Sequence, residues 1–216
     1  MEEKLNFENM RVLMVKNQIE ARGIKERSII KSFLKVPRHL FIPEEYQQDA
    51  YEDQPVPIGF GQTISQPYIV ALMTEILDVK KGLKVLEVGT GSGYQSAILS
   101  EMGCNIYSIE RIPEIAERAG NILKKLNYNV SIHVGDGTSG LKEFSPYQRI
   151  IVAAGAPSIP ENLIEQLEEN GKIVIPVGDY FFQELNRGTK KKGKIITESF
   201  GGCQFVPLKG KQGWKE

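Results

Sequence analysis

The chain has 216 residues, a length that fits one large domain or a domain with an appendage. Hydrophobic residues make up 41% of it and charged residues 25%, values that are ordinary for a soluble globular protein. Its 27 basic and 27 acidic residues give a net charge of +0, which argues against a nucleic-acid-binding protein that depends on a broad basic face.

The cysteines, Cys104 and Cys203, lie far apart in the chain and are most simply explained as small buried thiols in a reducing compartment. Neither has the spacing of a metal ligand, and with only 2 histidines in the chain we predict no metal site. The charged start, residues 1–4, is followed by no apolar run, and no stretch is long enough to span a membrane. We therefore expect a cytoplasmic protein with no membrane attachment.

The first sixty residues do not alternate strands and helices. Apolar residues recur largely at helical spacing over residues 7–22, where Gly23 supplies a stop, and a second helix is predicted over residues 27–35. Residues 37–59 are bounded by prolines and rich in acids and tyrosine, so we expect a loop draped over the surface. Residues 1–60 are therefore predicted to be a helical extension of the main fold.

A helix is predicted over residues 68–77, directly after a stretch of glycines and small polar residues. Pro67 suits the first turn of this helix, and Ser65 suits the position that caps its amino end. From local chemistry alone, a helix cap and a functional hydroxyl are equally good interpretations of Ser65.

Strands and helices alternate regularly after this point, with strands expected at residues 84–88, 105–109, 129–133, 149–153 and 172–176 and helices at 94–102, 114–126 and 161–167. Such alternation makes right-handed βαβ units and a parallel sheet covered on both faces. We therefore predict a doubly wound, Rossmann-like α/β fold with its core over residues 61–178. Ligands of such sheets bind at the carboxyl ends of the strands.

The pattern changes after Pro176. Residues 181–187 and 194–200 are predicted to form an antiparallel hairpin around a turn at 189–193, and residues 204–208 a further strand. Residues 179–216 would thus extend the sheet. No linker or repeat interrupts the chain, so residues 1–216 are expected to form a single domain.

A glycine-rich turn follows the first strand of the α/β section. Gly89, Gly91 and Gly93 stand at alternate positions between an apolar strand and a helix, where glycine lets a ligand approach the backbone and helix N–H groups. A dinucleotide-binding loop needs glycine where Tyr94 stands, which makes a dinucleotide reductase a poor second interpretation. The pattern Glu-x-Gly-x-Gly-x-Gly is typical of S-adenosylmethionine-dependent methyltransferases. The candidate donor-binding residues here are Glu87, Gly89, Thr90, Gly91, Ser92 and Gly93.

Two carboxylates after the next strands extend this candidate site. Glu110 follows Gly89 by 21 residues, and its carboxylate could accept hydrogen bonds from the ribose hydroxyls of an adenosine cofactor; the alternative is a surface acid paired with Arg111. Asp136, between Gly135 and Gly137, could accept a hydrogen bond from the adenine amino group, or could simply form a turn. We include Gly135, Gly137 and Arg111 among the candidates.

The loop after the fourth strand of the α/β section bears on the methyl acceptor. Residues 153–157 offer no side chain that could polarise an amine, and neither cysteine is placed to attack a base. A small apolar loop suits an acceptor that is already a nucleophile, such as a carboxylate, whose pKa of about 4 removes the need for a general base. The enzyme would then supply alignment and exclusion of water, worth about 7–11 kcal/mol in favourable models.

Almost end to end, the chain resembles the protein-L-isoaspartate O-methyltransferase family. The match is carried by residues 14–24, 36–43, 135–137, 175–178 and 205–208, and above all by a family hallmark that other methyltransferases lack, Gly61-Gln62-Thr63-Ile64-Ser65-Gln66-Pro67-Tyr68. The resemblance implies S-adenosylmethionine as donor, S-adenosylhomocysteine as product, and isoaspartyl residues of damaged proteins and peptides as acceptors. Methylation of the free α-carboxylate gives an ester that collapses to a succinimide and can reopen as aspartate.

The resemblance also assigns residues. It implies that Ser65 orients the acceptor carboxylate and that Gln62, Thr63 and Ile64 lie beside the donor. Because the acceptor is a kinked backbone, we expect recognition through main-chain contacts, for which the candidates are Ala154, Ala156, Pro157, Val206, Pro207 and Leu208. Gly155 stands where alanine is common in the family. We expect a monomer, with an oligomer formed through the apolar N-terminal helices as the alternative. A methyltransferase for a small molecule or nucleic acid, and a nucleotide-binding module without turnover, remain as other functions.

Overall fold

The computed structural model describes residues 6–215; the charged start of the chain, residues 1–4, which entered the prediction of a cytoplasmic protein, lies outside this range. The helices are α1 (Phe7–Met14), α2 (Arg27–Lys35), α3 (Pro67–Leu77), α4 (Tyr94–Glu101), α5 (Pro113–Lys125) and α6 (Glu161–Gln166). The strands are β1 (Val56–Gly59), β2 (Gln62–Ile64), β3 (Lys84–Val88), β4 (Asn105–Glu110), β5 (Val130–Val134), β6 (Tyr147–Val152), β7 (Leu167–Gly178), β8 (Gln183–Lys191) and β9 (Lys194–Cys203). None of the helices within the described range has the length and apolar character that a membrane crossing needs.

A seven-stranded sheet in the order β5-β4-β3-β6-β7-β8-β9 forms the centre of the molecule. The first five of these strands are parallel, and β8 and β9 continue the sheet antiparallel. The chain leaves β3 toward β4 and β5 and then returns to β6 on the other side of β3, so the strand order reverses between β3 and β6. The predicted doubly wound sheet with an antiparallel C-terminal hairpin is confirmed.

The two faces of the sheet are covered by different helices, because successive side chains of a strand point to opposite faces. Val85 and Ile106 pack on one face with residues of α3 and α4, such as Met73 and Leu99. The opposite face carries a second apolar cluster that includes Leu86, Val88, Ile150 and Val152 of the sheet and Leu163 of α6. Both faces of the sheet are therefore covered, as the continuous apolar runs in its strands predicted.

The N-terminal segment is more ordered than predicted. α1 continues through a π-helical turn, Val15–Ile19, and a 3₁₀ turn, Glu20–Arg22, and the helical segment ends at Gly23, whose φ is 97°. The prediction of a surface loop over residues 37–59 was wrong. This segment contains the 3₁₀ helices Arg38–Phe41 and Glu44–Asp49 and strand β1, which pairs antiparallel with β2.

The same segment contributes to the core rather than lying on it. Phe41, Ala50 and Tyr51 are buried in one apolar cluster with Tyr94 and Ile98 of α4. Short 3₁₀ turns carry no lasting apolar period, and prolines at both ends suggested a loop, so the sequence pattern did not reveal the buried side chains.

The C-terminal hairpin turns at Lys192 and Gly193, both with positive φ, 51° and 73°, as tight two-residue hairpin turns require. The strands are therefore longer than predicted and their turn is shorter. The prediction of a strand over residues 204–208 was also wrong, because this segment makes only an isolated bridge from Pro207 to Gly155. A proline has no N–H to donate and cannot continue a ladder of hydrogen bonds.

Candidate active site

A cleft of about 350 Å³ opens where β3 and β4 end and where the chain leaves β6, at the reversal of strand order. Its volume falls within the ~300–1,000 Å³ of small-molecule sites. It brings together most of the residues that the sequence singled out for donor or acceptor: Gln62, Thr63, Ile64, Ser65, Glu87, Gly89, Thr90, Gly91, Ser92, Glu110, Arg111, Gly137, Ala154, Val206, Pro207 and Leu208. Gly93, Gly135, Asp136, Ala156 and Pro157 do not line it.

The glycine loop between β3 and α4 has a backbone that L side chains rarely adopt. The φ angles of Gly89, Gly91 and Gly93 are 89°, 51° and 86°. Gly93 occupies the cap position before α4, and a Cβ there would lie 3.1 Å from Leu123 Cδ1 of α5. Gly93 is thus required for helix packing, whereas Gly89 and Gly91 line the cleft.

Glu110, at the end of β4, fastens this loop to the neighbouring strand. Its Oε2 accepts a hydrogen bond from the Gly91 N–H at 2.9 Å, and its Oε1 accepts from the N–H groups of Arg111 and Ile112 at 2.8 and 3.1 Å. The residue is only 7% exposed, so the alternative of a surface acid is wrong. The carboxylate lies in the cleft wall, where it can also accept from a ligand, because two carboxylate oxygens offer about four lone pairs.

Glu87 is fully buried beneath the glycine loop. Its Oε2 accepts hydrogen bonds from the hydroxyls of Ser96 and Ser108, and the Ser108 hydroxyl lies 2.6 Å from that of Thr90. Its Oε1 has no hydrogen-bond partner among residues 6–215. Burial raises the pKa of Glu87 to about 7, against the lowering effect of the two serine hydroxyls. A substantial fraction of this carboxyl group is therefore protonated at neutral pH.

Asp136 lies beside the cleft rather than in its wall. Its Oδ1 accepts from the N–H and hydroxyl of Thr138 at 2.9 and 2.7 Å, and its Oδ2 accepts from the Lys211 N–H at 2.9 Å. Burial raises the pKa of Asp136, but these hydrogen bonds outweigh it and lower the pKa. The carboxylate faces a smaller depression that shares Arg111 and Lys209 with the cleft.

The glycines that flank Asp136 have different surroundings. A Cβ on Gly137 would lie 2.5 Å from Val88 Cγ1, so only glycine fits at this point of the cleft wall. A Cβ on Gly135 would meet Ile109 Cδ1 at an ordinary 3.5 Å. Gly137 is therefore the flanking residue that the close approach of the chain requires.

Ser65 lies between β2 and α3 and lines the cleft. The cap residue of α3 is Gln66, and its side chain makes no capping hydrogen bond, so the interpretation of Ser65 as a helix cap is wrong. No hydrogen bond joins the Ser65 hydroxyl to any other described residue. Its carbonyl oxygen accepts a hydrogen bond from Nη2 of Arg38 at 2.8 Å.

The wall opposite the glycine loop is built from main-chain pairing. The Gly155 N–H donates to the Val206 carbonyl at 2.8 Å, and the Leu208 N–H donates to the Gly155 carbonyl at 2.7 Å. Ala154 and residues 206–208 line the cleft through this pairing. Ala156 is buried, with its N–H donating to the Pro176 carbonyl, and Pro157 is exposed outside the cleft.

Sequence reasoning missed several residues of the cleft wall: Phe60, Gly61, Val70, Met73, Tyr94, Gln95, Ile112, Ala153 and Lys209. Val70 and Met73 stand three residues apart on α3, and this helical spacing could have shown that one face of α3 turns toward the cleft. Within residues 6–215, no group of three His, Cys, Asp or Glu side chains could hold a metal ion.

The family model described as "Protein-L-isoaspartate(D-aspartate) O-methyltransferase (PCMT)" matches residues 9–213. A protein-L-isoaspartate O-methyltransferase of Dictyoglomus turgidum is 55% identical, over 92% of this chain and 90% of its own, and that of Geobacter metallireducens is 51% identical, over 97% and 98%. A solved beta-aspartate methyltransferase (PCMT) from Plasmodium falciparum, in complex with S-adenosyl-L-homocysteine, has a TM-score of 0.81 at 28% identity, covering 95% of this chain and 99% of that one. The chain belongs to the protein-L-isoaspartate O-methyltransferase family.

Proposed function

We propose that this chain transfers the methyl group of S-adenosylmethionine to the free α-carboxylate of L-isoaspartyl residues in damaged proteins and peptides. The resulting ester leads through a succinimide back to aspartate. The observation that carries the proposal is the position of Ser65, which lines the same cleft as the glycine loop and Glu110. The names of the Dictyoglomus and Geobacter relatives support the same activity.

The cleft wall fits the donor because it leaves backbone exposed where an adenosine must approach closely. Gly89 and Gly91 line the cleft with positive φ, a conformation that glycine adopts without strain. The Glu110 carboxylate would accept hydrogen bonds from the ribose hydroxyls, and Asp136 remains the candidate for the adenine amino group. When bound, the donor supplies an electrophilic methyl group.

The glycine loop and the hairpin of β1 and β2 would enclose the donor from two sides. Glu87, Thr90 and Ser92 lie in the floor of the cleft, and Gln62, Thr63 and Ile64 of β2 in the facing wall. Gly93 and Gly135 would act indirectly, by placing α4 and the turn before Asp136. Arg111 would contribute through its main chain, which binds Glu110.

The acceptor needs position more than acid–base chemistry. A carboxylate with a pKa of about 4 is already ionised at neutral pH, so no residue has to remove a proton. The Ser65 hydroxyl would donate to one carboxylate oxygen and leave the other free to attack. Ala154, Val206, Pro207 and Leu208 would exclude water and offer main-chain groups to the acceptor backbone, while Ala156 and Pro157 would hold the loop in place.

Replacement of Ser65 by alanine tests its role. Loss of one hydrogen bond to a charged group, worth about 1.5–3 kcal/mol, predicts turnover lower by about 10- to 100-fold with donor affinity kept. Melting temperature should not change, because the hydroxyl makes no hydrogen bond to any residue from 6 to 215. Ser100→Ala, on α4 at a position that does not line the cleft, is the matched control and should leave both properties unchanged. Full turnover by Ser65→Ala would contradict this role.

The proposed acceptor is tested by incubating the enzyme with labelled donor and a set of acceptors. We expect label in an isoaspartyl peptide and none in the matching aspartyl peptide, in nucleic acid or in small carboxylic acids. Label in one of the other acceptors alone would favour a different methyltransferase. Binding of the donor by calorimetry, with no labelled product, would indicate a nucleotide-binding module.

We also infer that the chain is a single domain that works as a cytoplasmic monomer. The single domain (extension 1–60, core 61–178 and C-terminal strands 179–216) is supported by the apolar cluster that joins Met14 and Phe41 to Tyr94. The free thiols of Cys104 and Cys203 support a reducing compartment. Light scattering coupled to size exclusion tests the assembly state, and a dimer mass would contradict it.

A further inference from the structure

Arg38 is a fully buried cation to which the proposed reaction assigns no role. Its Nε donates to the Ala50 carbonyl at 2.7 Å, and its Nη2 donates to the Ser65 carbonyl at 2.8 Å. The guanidinium carbon lies 5.0 Å from the centre of the Tyr94 ring. Among residues 6–215, no carboxylate forms an ion pair with it.

This arrangement is costly for the fold. Burial lowers the pKa of Arg38 to about 10, so the side chain still carries its charge at neutral pH. Burial of a charge costs a large free energy unless the charge is paired or hydrogen-bonded. The charge instead meets two carbonyl dipoles and the face of an aromatic ring, which a planar guanidinium can contact together, while Nη1 has no hydrogen-bond partner among residues 6–215.

The two carbonyls belong to segments that the sequence separates. Ala50 follows the 3₁₀ helix Glu44–Asp49, whereas Ser65 follows β2. The Tyr94 ring under the guanidinium is itself fixed, since it packs edge-on against Phe41 with 5.6 Å between ring centres. Arg38 therefore connects the main chain at Ser65 to a rigid part of the core.

We propose that Arg38 is a positioning residue for methyl transfer, which acts by holding the Ser65 carbonyl and thereby aims the Ser65 hydroxyl into the cleft. The inference rests on the proposed function of Ser65. The donor half of the cleft, built from β3, β4 and the glycine loop, makes no hydrogen bond to the Arg38 side chain within the described residues. Loss of Arg38 should therefore affect turnover without a matching loss of donor affinity.

Arg38→Lys is the sharpest variant, because lysine keeps the charge but lacks the planar fork that reaches two carbonyls at once. A displaced reacting group can cost about 100-fold in rate, so we expect kcat to fall by about 10- to 100-fold. The dissociation constant of the donor should change less than about twofold, on the order of the measurement error. Arg38→Met should lose at least as much turnover, with assays run well below each variant's melting temperature.

Arg149→Met is the matched control. Arg149 also donates to two carbonyls, those of Asp78 and Gln148 at 3.0 and 2.8 Å, but it lies on β6 far from the strand ends that form the cleft. Its replacement should lower the melting temperature and leave kcat unchanged. Equal loss of kcat in Arg38→Met and Arg149→Met would overturn the inference, because the loss would then follow stability alone.

A double-mutant cycle with Ser65→Ala closes the test. If Arg38 acts through Ser65, Arg38→Lys should lower kcat in the wild-type background and hardly at all in the Ser65→Ala background. Fully additive losses would overturn the inference and leave the role of Ser65 intact. Wild-type turnover by Ser65→Ala would overturn both the role of Ser65 and the inference that depends on it.

Discussion

The buried carboxyl group of Glu87 should make the free energy of unfolding fall as the pH rises, and Glu87→Gln should remove this pH dependence. Burial without a partner for Oε1 raises the pKa of Glu87 from 4.5 to about 7. At 1.36 kcal/mol per pKa unit, the ionised form costs the folded state about 3 kcal/mol relative to the unfolded chain. Glutamine has nearly the same shape, and its amide oxygen can still accept from Ser96 and Ser108.

The sign of the effect follows from the two pKa values. Between about pH 4.5 and 7 the unfolded chain has released this proton while the folded protein retains it, so the stability of the wild type falls as pH rises. Below pH 4.5 the carboxyl group is neutral in both states, and Glu87→Gln should then match the wild type. Above pH 7 the variant should be more stable by up to about 3 kcal/mol.

Urea unfolding at intervals from pH 4 to 8 measures this difference, and subtraction of the wild-type curve removes the titration of all other groups. Glu143→Gln, at an exposed position of the same residue type, is the matched control for the substitution. A difference between Glu87→Gln and wild type that stays constant over the range would refute the reasoning, because it would mean that Glu87 ionises alike in both states.

Two further substitutions test the packing of the cleft. Gly137→Ala places a Cβ 2.5 Å from Val88 Cγ1, so it should lower the free energy of unfolding by about 1–3 kcal/mol. Displacement of this part of the cleft wall should also weaken donor binding, and an unchanged calorimetric affinity would contradict that expectation. Tyr94→Phe removes a buried hydroxyl without a partner among residues 6–215 and should stabilise the fold by about 1 kcal/mol in urea unfolding. Tyr147→Phe breaks a hydrogen bond to the Leu141 carbonyl and should instead destabilise it by about 1 kcal/mol; equal effects of the two tyrosine variants would contradict this contrast.

The parts of the fold that sequence predicted well are those where one physical pattern dominates. The apolar strand before Gly89, the alternate glycines and the helix after them define both the sheet and the donor side of the cleft. Glu110 could be placed because the carboxyl ends of neighbouring parallel strands lie on one edge. These features depend on local pattern and on a general topological rule, and both can be read along the chain.

The parts that sequence did not predict depend on contacts between distant segments. The sequence pattern of residues 37–59 does not predict that Arg38 is buried against Tyr94. Nor does it predict that Arg38 binds the carbonyl of Ser65, which lies 27 positions further along the chain. Ser65 itself was ambiguous, because a serine two residues before the proline of a helix start suits a cap as well as a site. Only the position of Gln66 as the cap residue separated these alternatives.

Asp136 and Pro207 illustrate a second limit. Their neighbours in sequence do not show that the Lys211 N–H binds the Asp136 carboxylate, which stays the candidate for an adenine contact, or that Pro207 only bridges Gly155 and does not continue a strand. How the last residues fold back over the sheet is a long-range property. It has no periodic signal in the sequence.

The central claim is that the methyl group goes to the free α-carboxylate of an isoaspartyl residue. Initial rates of label transfer to three matched peptides test it most directly: one with isoaspartate, one with aspartate, and one with isoaspartate whose α-carboxylate is blocked as an amide. The account predicts label in the first peptide alone, released again as the ester collapses to the succinimide. Label in the aspartyl or the blocked peptide at a comparable rate would contradict it.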